Sequence, residues 1–247
     1  MQELLYTILL LFLPVMISGM LVFRFKISDN KLKLILAFSA SYLLALTFLH
    51  LMPEVFSKGD EKIGVYVLIG FFIQLFLDYF STGIEHGHIH VHHQPKKKIP
   101  ISILFGLYIH SFLEGLPVAE VMSQGHNSGS FLGFKDSMIL GLTLHNIPIA
   151  IAFVTMLKQL QIAKNSAILY LILFSLMAPL GVLCNELMKQ AGVANIDYII
   201  QISLGIVVGI FLHISTTIMF ESSNNHKYNF AKMASILLGS VVAYLIS

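Results

Sequence analysis

Long apolar runs separated by short polar breaks are the dominant pattern of this chain. A helix needs about 20 predominantly apolar residues to cross the hydrocarbon core of a bilayer. Eight runs come close to that length, and the last of them is the shortest. They cover approximately residues 4–23, 33–52, 63–80, 100–121, 137–156, 166–184, 197–217 and 232–246. The pattern predicts an all-α, polytopic membrane protein with eight transmembrane helices.

Composition agrees with this prediction. Hydrophobic residues make up 56% of the 247 residues, charged residues only 11%, and the mean hydropathy is +0.81. In a soluble domain about a quarter of the residues are charged. Because the loops are short, we predict one transmembrane domain over residues 1–247, in the lipid bilayer of a plasma or bacterial inner membrane, with no nucleic-acid partner. The single cysteine, Cys184, excludes an intrachain disulfide.

The basic residues predict the orientation of the helices. Glu3 precedes the first apolar run, and Arg24 and Lys26 follow it, which favours a retained helix with its N-terminus outside over a cleavable signal. With that start, the inner loops hold 11 Lys and Arg residues and the outer loops hold 4. Because the number of spans is even, both termini are predicted to lie outside.

Two ionisable clusters lie in the middle of apolar runs. His110 and Glu114 are four residues apart, so they share one face of the fourth helix. His110 is predicted to lie about 15 Å deep, and His145, on the fifth helix, about 12 Å deep from the opposite side. An ionisable side chain at such depth costs about 2.5–3.5 kcal/mol on insertion scales. The matched depth therefore predicts that His110, Glu114 and His145 share one ion.

Imidazole and carboxylate groups are ligands that suit a borderline-soft divalent cation such as zinc. Pro117 and Pro148 lie close to these groups, and each removes a helical hydrogen bond and frees a carbonyl. Kinked helices of this kind are tolerated at membrane depth where they line a cavity. The alternative is that the two histidines are packed in the core and hydrogen-bonded to Ser111, Asn146 or each other.

Polar residues near the ends of other helices outline a path across the membrane. His50 and Glu54, at the outer end of the second helix, could form an entrance, although ordinary interfacial residues are an equal alternative. His213 and Glu221, toward the inner end of the seventh helix, could form an exit. Asp78, near the inner end of the third helix, could join that exit, although an ordinary interfacial residue is the favoured interpretation.

The segment 83–98 is rich in histidine and ends in three lysines. It has little to bury, so we predict a cytosolic loop that is disordered without metal. His-rich tracts can bind metal, and we favour weak metal capture over a plain solvated loop. The candidate ligands are His86, His88, His90, His92 and His93.

The chain also shows weak internal similarity. The tripeptide Phe-Leu-His occurs at 48–50 in the second helix and at 211–213 in the seventh, and the two helices are predicted to run in opposite directions. The fourth and fifth helices are also predicted to be antiparallel, and their midplane motifs, which begin with His110 and His145, are similar in sequence. Inverted repeats with the substrate site at their interface are typical of transporters, so an inverted-repeat bundle is predicted.

These motifs resemble the ZIP family of metal transporters, the Zrt-, Irt-like proteins. The segment 110–115, His-Ser-Phe-Leu-Glu-Gly, is similar to the family's helix 4 motif, and 145–148, His-Asn-Ile-Pro, to the first half of its helix 5 motif. The segments 49–54 and 178–181 also resemble the family. The resemblance covers essentially the whole chain. It implies eight helices, both termini outside and a His-rich cytosolic loop.

The chain departs from the family where a two-metal centre would need more carboxylates. The resemblance implies a bridging acid on helix 5 and another acid on helix 6, but Ile149 and Ala178 occupy those positions. Ser111 and Asn146 fall at further ligand positions of the second metal. A divergent member with one metal site is therefore predicted.

The function predicted from these features is uptake of Zn²⁺ into the cytoplasm, with Fe²⁺, Mn²⁺ and Cd²⁺ as further candidate ions. No P-loop occurs, so the driving force is predicted to be the ion gradient itself. We predict no enzymatic activity and no cofactor, and a homodimer is one assembly to test. An intramembrane zinc-dependent hydrolase and a non-transporting membrane metal-binding protein are the alternatives.

Overall fold

A computed structural model describes residues 2–58, 61–81, 83–84, 99–118, 134–220 and 230–246. Within these residues every regular element is a helix. The helices are α1 (Gln2–Leu21), α2 (Asp29–Leu46), α3 (Met52–Lys58), α4 (Ile63–Ser81), α5 (Ile101–Gly115), α6 (Phe134–Gln159), α7 (Lys164–Gln190), α8 (Ile196–Phe220) and α9 (Phe230–Ile246). A π-helical segment, Thr47–Leu51, connects α2 to α3.

These helices form eight apolar rods, because α2, the π-helical segment and α3 continue as one rod over Asp29–Ser57. Among the described residues, six rods are long and apolar enough to cross a membrane, and α5 and α9 are shorter apolar helices. The prediction of an all-helical membrane protein with eight helices is confirmed. The side of the membrane on which the termini lie stays a prediction.

The fourth predicted span, 100–121, is not one continuous helix within its described residues. α5 ends at Gly115, and a turn follows at Leu116 and Pro117. The Leu116 N–H donates to the Leu113 carbonyl at 3.3 Å, a three-residue contact that tightens the last turn. Glycine has low helix propensity and proline has no N–H, so Gly-Leu-Pro favours a helix end.

Pro148, in contrast, does not interrupt its helix, since α6 is continuous over 26 residues. Proline removes one hydrogen bond, and the bonds on either side maintain the helix. α6 and α7 are also longer than the predicted spans 137–156 and 166–184. Both extend into polar residues at their ends, such as Lys158 and Lys189, which a pattern of apolar residues alone does not count.

The π-helical segment precedes Pro53. Its wide turn is closed by the Met52 N–H, which donates to the Thr47 carbonyl five residues earlier. A proline ring clashes with the carbonyl four residues before it, and a local π turn allows the helix to continue past such a residue. The segment carries His50, so the simple four-residue spacing of His50 and Glu54 does not describe a regular α-helical face.

Two kinds of parallel helix pair form the bundle. α4 packs along α8, and α2 packs along α9. α1 packs along α6, and α5 packs along α7. An exchange of α1 with α7, α2 with α8, α4 with α9 and α5 with α6 relates these pairs. It turns the α4–α8 pair into the α9–α2 pair, and the α1–α6 pair into the α7–α5 pair. This pairing agrees with the internal symmetry predicted from the sequence.

Glycines allow the closest of these contacts. Gly70 of α4 abuts the carbonyl of Ile206, and Gly209 of α8 abuts the carbonyl of Val67. The α5–α7 pair has the same reciprocal arrangement around Gly115 and Gly181. Small residues let the backbones of membrane helices approach closely, so packing in the apolar phase is favourable there.

α6 lies at the centre of the bundle, in contact with α1, α2 and α7. Its residues 149–154 are all buried, whereas α1, α4 and α9 expose large apolar side chains such as Leu5, Phe72 and Leu237. In a bilayer those exposed side chains contact lipid. The helix that carries His145 is therefore shielded from lipid by its neighbours.

Candidate metal centre

His110 and Glu114 occupy successive turns of α5, on the face turned into the bundle. Both side chains have 0% exposure, and His110 Nε2 lies 3.3 Å from Glu114 Oε1. The four-residue spacing brings the two groups together because i and i+4 residues of a helix are neighbours. The local sequence alone therefore accounts for this half of the site.

His145 approaches the same carboxylate oxygen from α6. Its Nε2 lies 3.9 Å from Glu114 Oε1, and its side chain is also fully buried. The rings of His110 and His145 meet edge to face, with centroids 5.9 Å apart. Among the described residues, these three form one group whose donor atoms all lie within 4.8 Å of one another. The structure thus brings together the three side chains that were predicted to share an ion.

The spacing of these atoms suits a small four-coordinate cation. Zinc bonds to histidine nitrogen and carboxylate oxygen are about 2.0–2.2 Å long, so tetrahedral ligand atoms lie about 3.4 Å apart. The His110–Glu114 distance of 3.3 Å is already close to that value. The His145–Glu114 distance of 3.9 Å would need to shorten by about 0.5 Å. Side-chain movements that bring all three donor atoms, now within 4.8 Å of one another, to that spacing would complete three of four zinc bonds.

Asn146, next to His145, holds the carboxylate in place. Its Nδ2 donates to Glu114 Oε2 at 3.1 Å and to the Leu142 carbonyl at 3.0 Å. The amide thus occupies one carboxylate oxygen and leaves Oε1 facing the histidines. In the part of the chain that the structure describes, Asn146 Oδ1 is buried and accepts no hydrogen bond. Ser111 is also buried, one residue from His110.

Gln74 is a member of the site that the sequence analysis missed. It lies in the middle of α4 with 0% exposure, and its Oε1 accepts a hydrogen bond from His110 Nδ1 at 3.0 Å. The sequence did indicate that Gln74 has a polar partner, because a lone amide in the apolar run of α4 needs one. The identity of that partner could not be read from the sequence, since it depends on the packing of α4 against α5.

The two positions that lack carboxylates are closely packed. Ile149 is fully buried, and Ala178 is 4% exposed. The carbonyl of Ala178 lies against Gly115, where α7 crosses α5. The apolar side chains thus add packing where the family resemblance implied metal ligands.

Asp78 and His213 form a second polar contact, toward the C-terminal ends of α4 and α8. Asp78 Oδ2 lies 3.9 Å from His213 Nε2, and the two side chains are 18% and 7% exposed. The Phe71 ring packs edge to face against His213, with centroids 4.9 Å apart. The structure therefore brings together two of the three residues predicted at the exit. The third, Glu221, lies outside the described residues.

The remaining predicted residues are those of the entrance and those of the His-rich loop. His50 and Glu54 are both half-buried, on the π-helical segment and on α3, and they are not part of the His110 cluster. The histidines of the 83–98 loop lie outside the described residues, as its described part ends at Ile84.

The chain matches the family described as ZIP zinc transporter over residues 2–101 and 96–247. The comparison with curated proteins gave no matching sequence. The family match includes every helix in the part of the chain that the structure describes, and it includes His110, Glu114 and His145. The chain therefore belongs to the ZIP zinc transporter family.

Proposed function

We propose that this protein carries Zn²⁺ into the cytoplasm and that His110, Glu114 and His145 bind the ion midway. As a ZIP family member it is an integral membrane protein that transports divalent metal. The observation that carries the finer proposal is the convergence of the three buried side chains from α5 and α6. Burying them is expensive unless they bind something, so their meeting in the centre of the bundle supports an ion site.

The donor set favours zinc over hard cations. Magnesium and calcium prefer oxygen ligands, whereas zinc accepts imidazole nitrogen together with carboxylate oxygen. Fe²⁺, Mn²⁺ and Cd²⁺ share part of this preference and are the ions to compare with zinc. Two neutral imidazoles and one carboxylate leave a bound divalent ion with about one unit of uncompensated positive charge. That residual charge would favour release over very tight binding.

The lost carboxylates favour a single ion. Two unit charges about 4 Å apart repel by about 4 kcal/mol at an effective dielectric constant of about 20, so two divalent ions repel by about 16 kcal/mol. Bridging anions would have to offset that repulsion. Glu114 can supply one, but the apolar side chains of Ile149 and Ala178 supply none.

In this proposal the other polar groups form a path through the bundle. His50 and Glu54 would gather the ion near the outer surface. Asp78 and His213 would receive it from the midplane site, since Asp78 lies one turn beyond Gln74 on α4. Glu221 and the His-rich loop would complete the inner end. The helices would have to move so that the midplane site opens alternately to the outer and the inner side of the membrane.

Uptake by purified protein in liposomes tests this proposal. Liposomes that enclose a zinc-sensitive dye are given external Zn²⁺, then Fe²⁺, Mn²⁺ or Cd²⁺ in parallel. Glu114→Gln should abolish most zinc uptake, because the substitution keeps the shape of the side chain but removes its charge. The matched control is Glu186→Gln on α7, where the carboxylate accepts a hydrogen bond from exposed Gln190; this variant should transport normally.

The same assay separates the alternatives. A non-transporting metal-binding protein would bind zinc at the cluster without moving it into the liposomes. Normal zinc uptake by Glu114→Gln would contradict the proposed site. Zinc binding without any uptake by the unsubstituted, correctly inserted protein would contradict the proposed transport.

A further inference from the structure

We infer that Gln74 is a positioning residue that determines which ring nitrogen of His110 faces the metal ion. The inference rests on the proposed function, because it gives Gln74 a role only if His110 binds an ion. Gln74 belongs to α4, which carries none of the three proposed ligands. It therefore adds a third helix to a site otherwise formed by α5 and α6.

The burial of Gln74 gives the first step of the argument. The amide has 0% exposure in a helix whose other central residues are apolar. Burying an amide without compensating hydrogen bonds costs about 1–3 kcal/mol by protein mutational data. The bond to His110 offsets part of that cost. An apolar residue would fit this helix at no such cost, so the presence of an amide calls for a role beyond packing.

The chemistry of the bond gives the second step. The side-chain oxygen of glutamine only accepts hydrogen bonds, so His110 Nδ1, 3.0 Å away, is the donor. A neutral imidazole carries one N–H, so its other nitrogen, Nε2, then presents a lone pair. Nε2 is the atom that lies 3.3 Å from Glu114 Oε1. The bond to Gln74 thus selects the tautomer whose lone pair points into the proposed site.

The geometry of metal sites gives the third step. Histidines that bind metals almost always donate their other N–H to an oxygen acceptor, which fixes both the tautomer and the ring orientation. Loss of such a partner typically weakens metal affinity by about 10–100-fold. Gln74 fulfils this role for His110 from a neighbouring helix. The affinity of the site is therefore expected to depend on how α4 packs against α5.

The test combines ¹⁵N NMR of histidine-labelled full-length protein with zinc titration. The variants are Gln74→Met, which keeps the length but removes the acceptor, and Gln74→Glu, which restores an acceptor. The control is Gln201→Met on α8, about 18 Å along that helix from His213. The His110 signal is assigned by its disappearance from His110→Asn. Spectra are recorded without metal, and Zn²⁺ alone is then added.

The unsubstituted protein should carry the His110 proton on Nδ1. Gln74→Met should lose this preference and bind Zn²⁺ about 10–100-fold more weakly, whereas Gln74→Glu and Gln201→Met should bind within a few-fold of the unsubstituted protein. An unchanged tautomer and affinity in Gln74→Met would overturn the inference and leave the proposed function intact. Absence of zinc binding by the unsubstituted protein, with a tautomer that still depends on Gln74, would overturn the proposed function and with it the role in metal binding.

Discussion

At the scale of single residues, the site depends on how a buried carboxylate is held. Glu114 has 0% exposure, and its two oxygens have different surroundings. Oε2 accepts the Asn146 amide, while Oε1 faces the two imidazoles. Asn146 therefore acts on the proposed ion through Glu114, by keeping one oxygen turned toward the histidines.

Asn146→Ala should weaken zinc binding by about 10–100-fold, because the carboxylate loses the partner that orients it. Isothermal titration of purified protein with Zn²⁺ measures this loss. The matched control is Asn185→Ala, since this asparagine is also buried but donates to the Leu116 carbonyl and not to a proposed ligand. The control should lose stability and keep its affinity. Equal affinities of Asn146→Ala and the unsubstituted protein would contradict the role given to Asn146.

Ile149→Glu should add a second bound ion to a protein that otherwise binds one. The added carboxylate could bridge two cations and offset their repulsion, which Glu114 alone cannot do. Metal counting on dialysed protein by mass spectrometry should give about one zinc per chain before the substitution and a higher number after it. Two tightly bound midplane ions in the unsubstituted protein would show that the single-ion account is wrong.

At the scale of helices, close packing at glycines holds the two halves of the site together. α5 carries two of the proposed ligands, and it crosses α7 where Gly115 and Gly181 each lie against a carbonyl of the other helix. The sequence predicted both helices from their apolar runs. It could not predict their contact, because glycine in an apolar run marks a close approach without naming the partner helix.

Gly181→Ala should lower the thermal unfolding temperature of the protein in detergent. The added methyl group would overlap the backbone of α5 at Phe112, and overpacking of this kind costs about 1–3 kcal/mol. Gly64→Ala is the control, because the nearest atom to its added methyl would be 4.0 Å away, on Phe56. The control should be neutral or slightly stabilising, since alanine favours helix more than glycine does. Equal unfolding temperatures for the two variants would contradict the packing argument.

At the scale of the whole molecule, the apolar pattern predicted the eight rods well because membrane thickness fixes their length. The cluster of His110, Glu114 and His145 could be placed by depth alone, since each helix rises uniformly along its axis. Gln74 could not, because its hydrogen bond to His110 depends on how α4 packs against α5, which the sequence does not reveal. Pro117 predicted a disturbance of the helix after Glu114, but the apolar run alone did not show that the helix ends at Gly115.

The His-rich loop is predicted to regulate transport without being required for it. Deletion of residues 86–93 should change the apparent zinc affinity of uptake modestly and leave the maximal rate largely intact, because the midplane ligands remain. Liposome uptake measured over a range of zinc concentrations separates these two effects. Complete loss of uptake by a folded and inserted deletion variant would contradict the prediction.

The most direct test of the central claim is anomalous diffraction at the zinc absorption edge from crystals of zinc-loaded protein. The account predicts a single midplane peak, about 2.0–2.2 Å from His110 Nε2, His145 Nε2 and Glu114 Oε1. The peak should be lost from Glu114→Gln and retained in Glu186→Gln. A midplane zinc bound by other residues, or His110 and His145 turned to opposite sides of the bundle, would contradict the account.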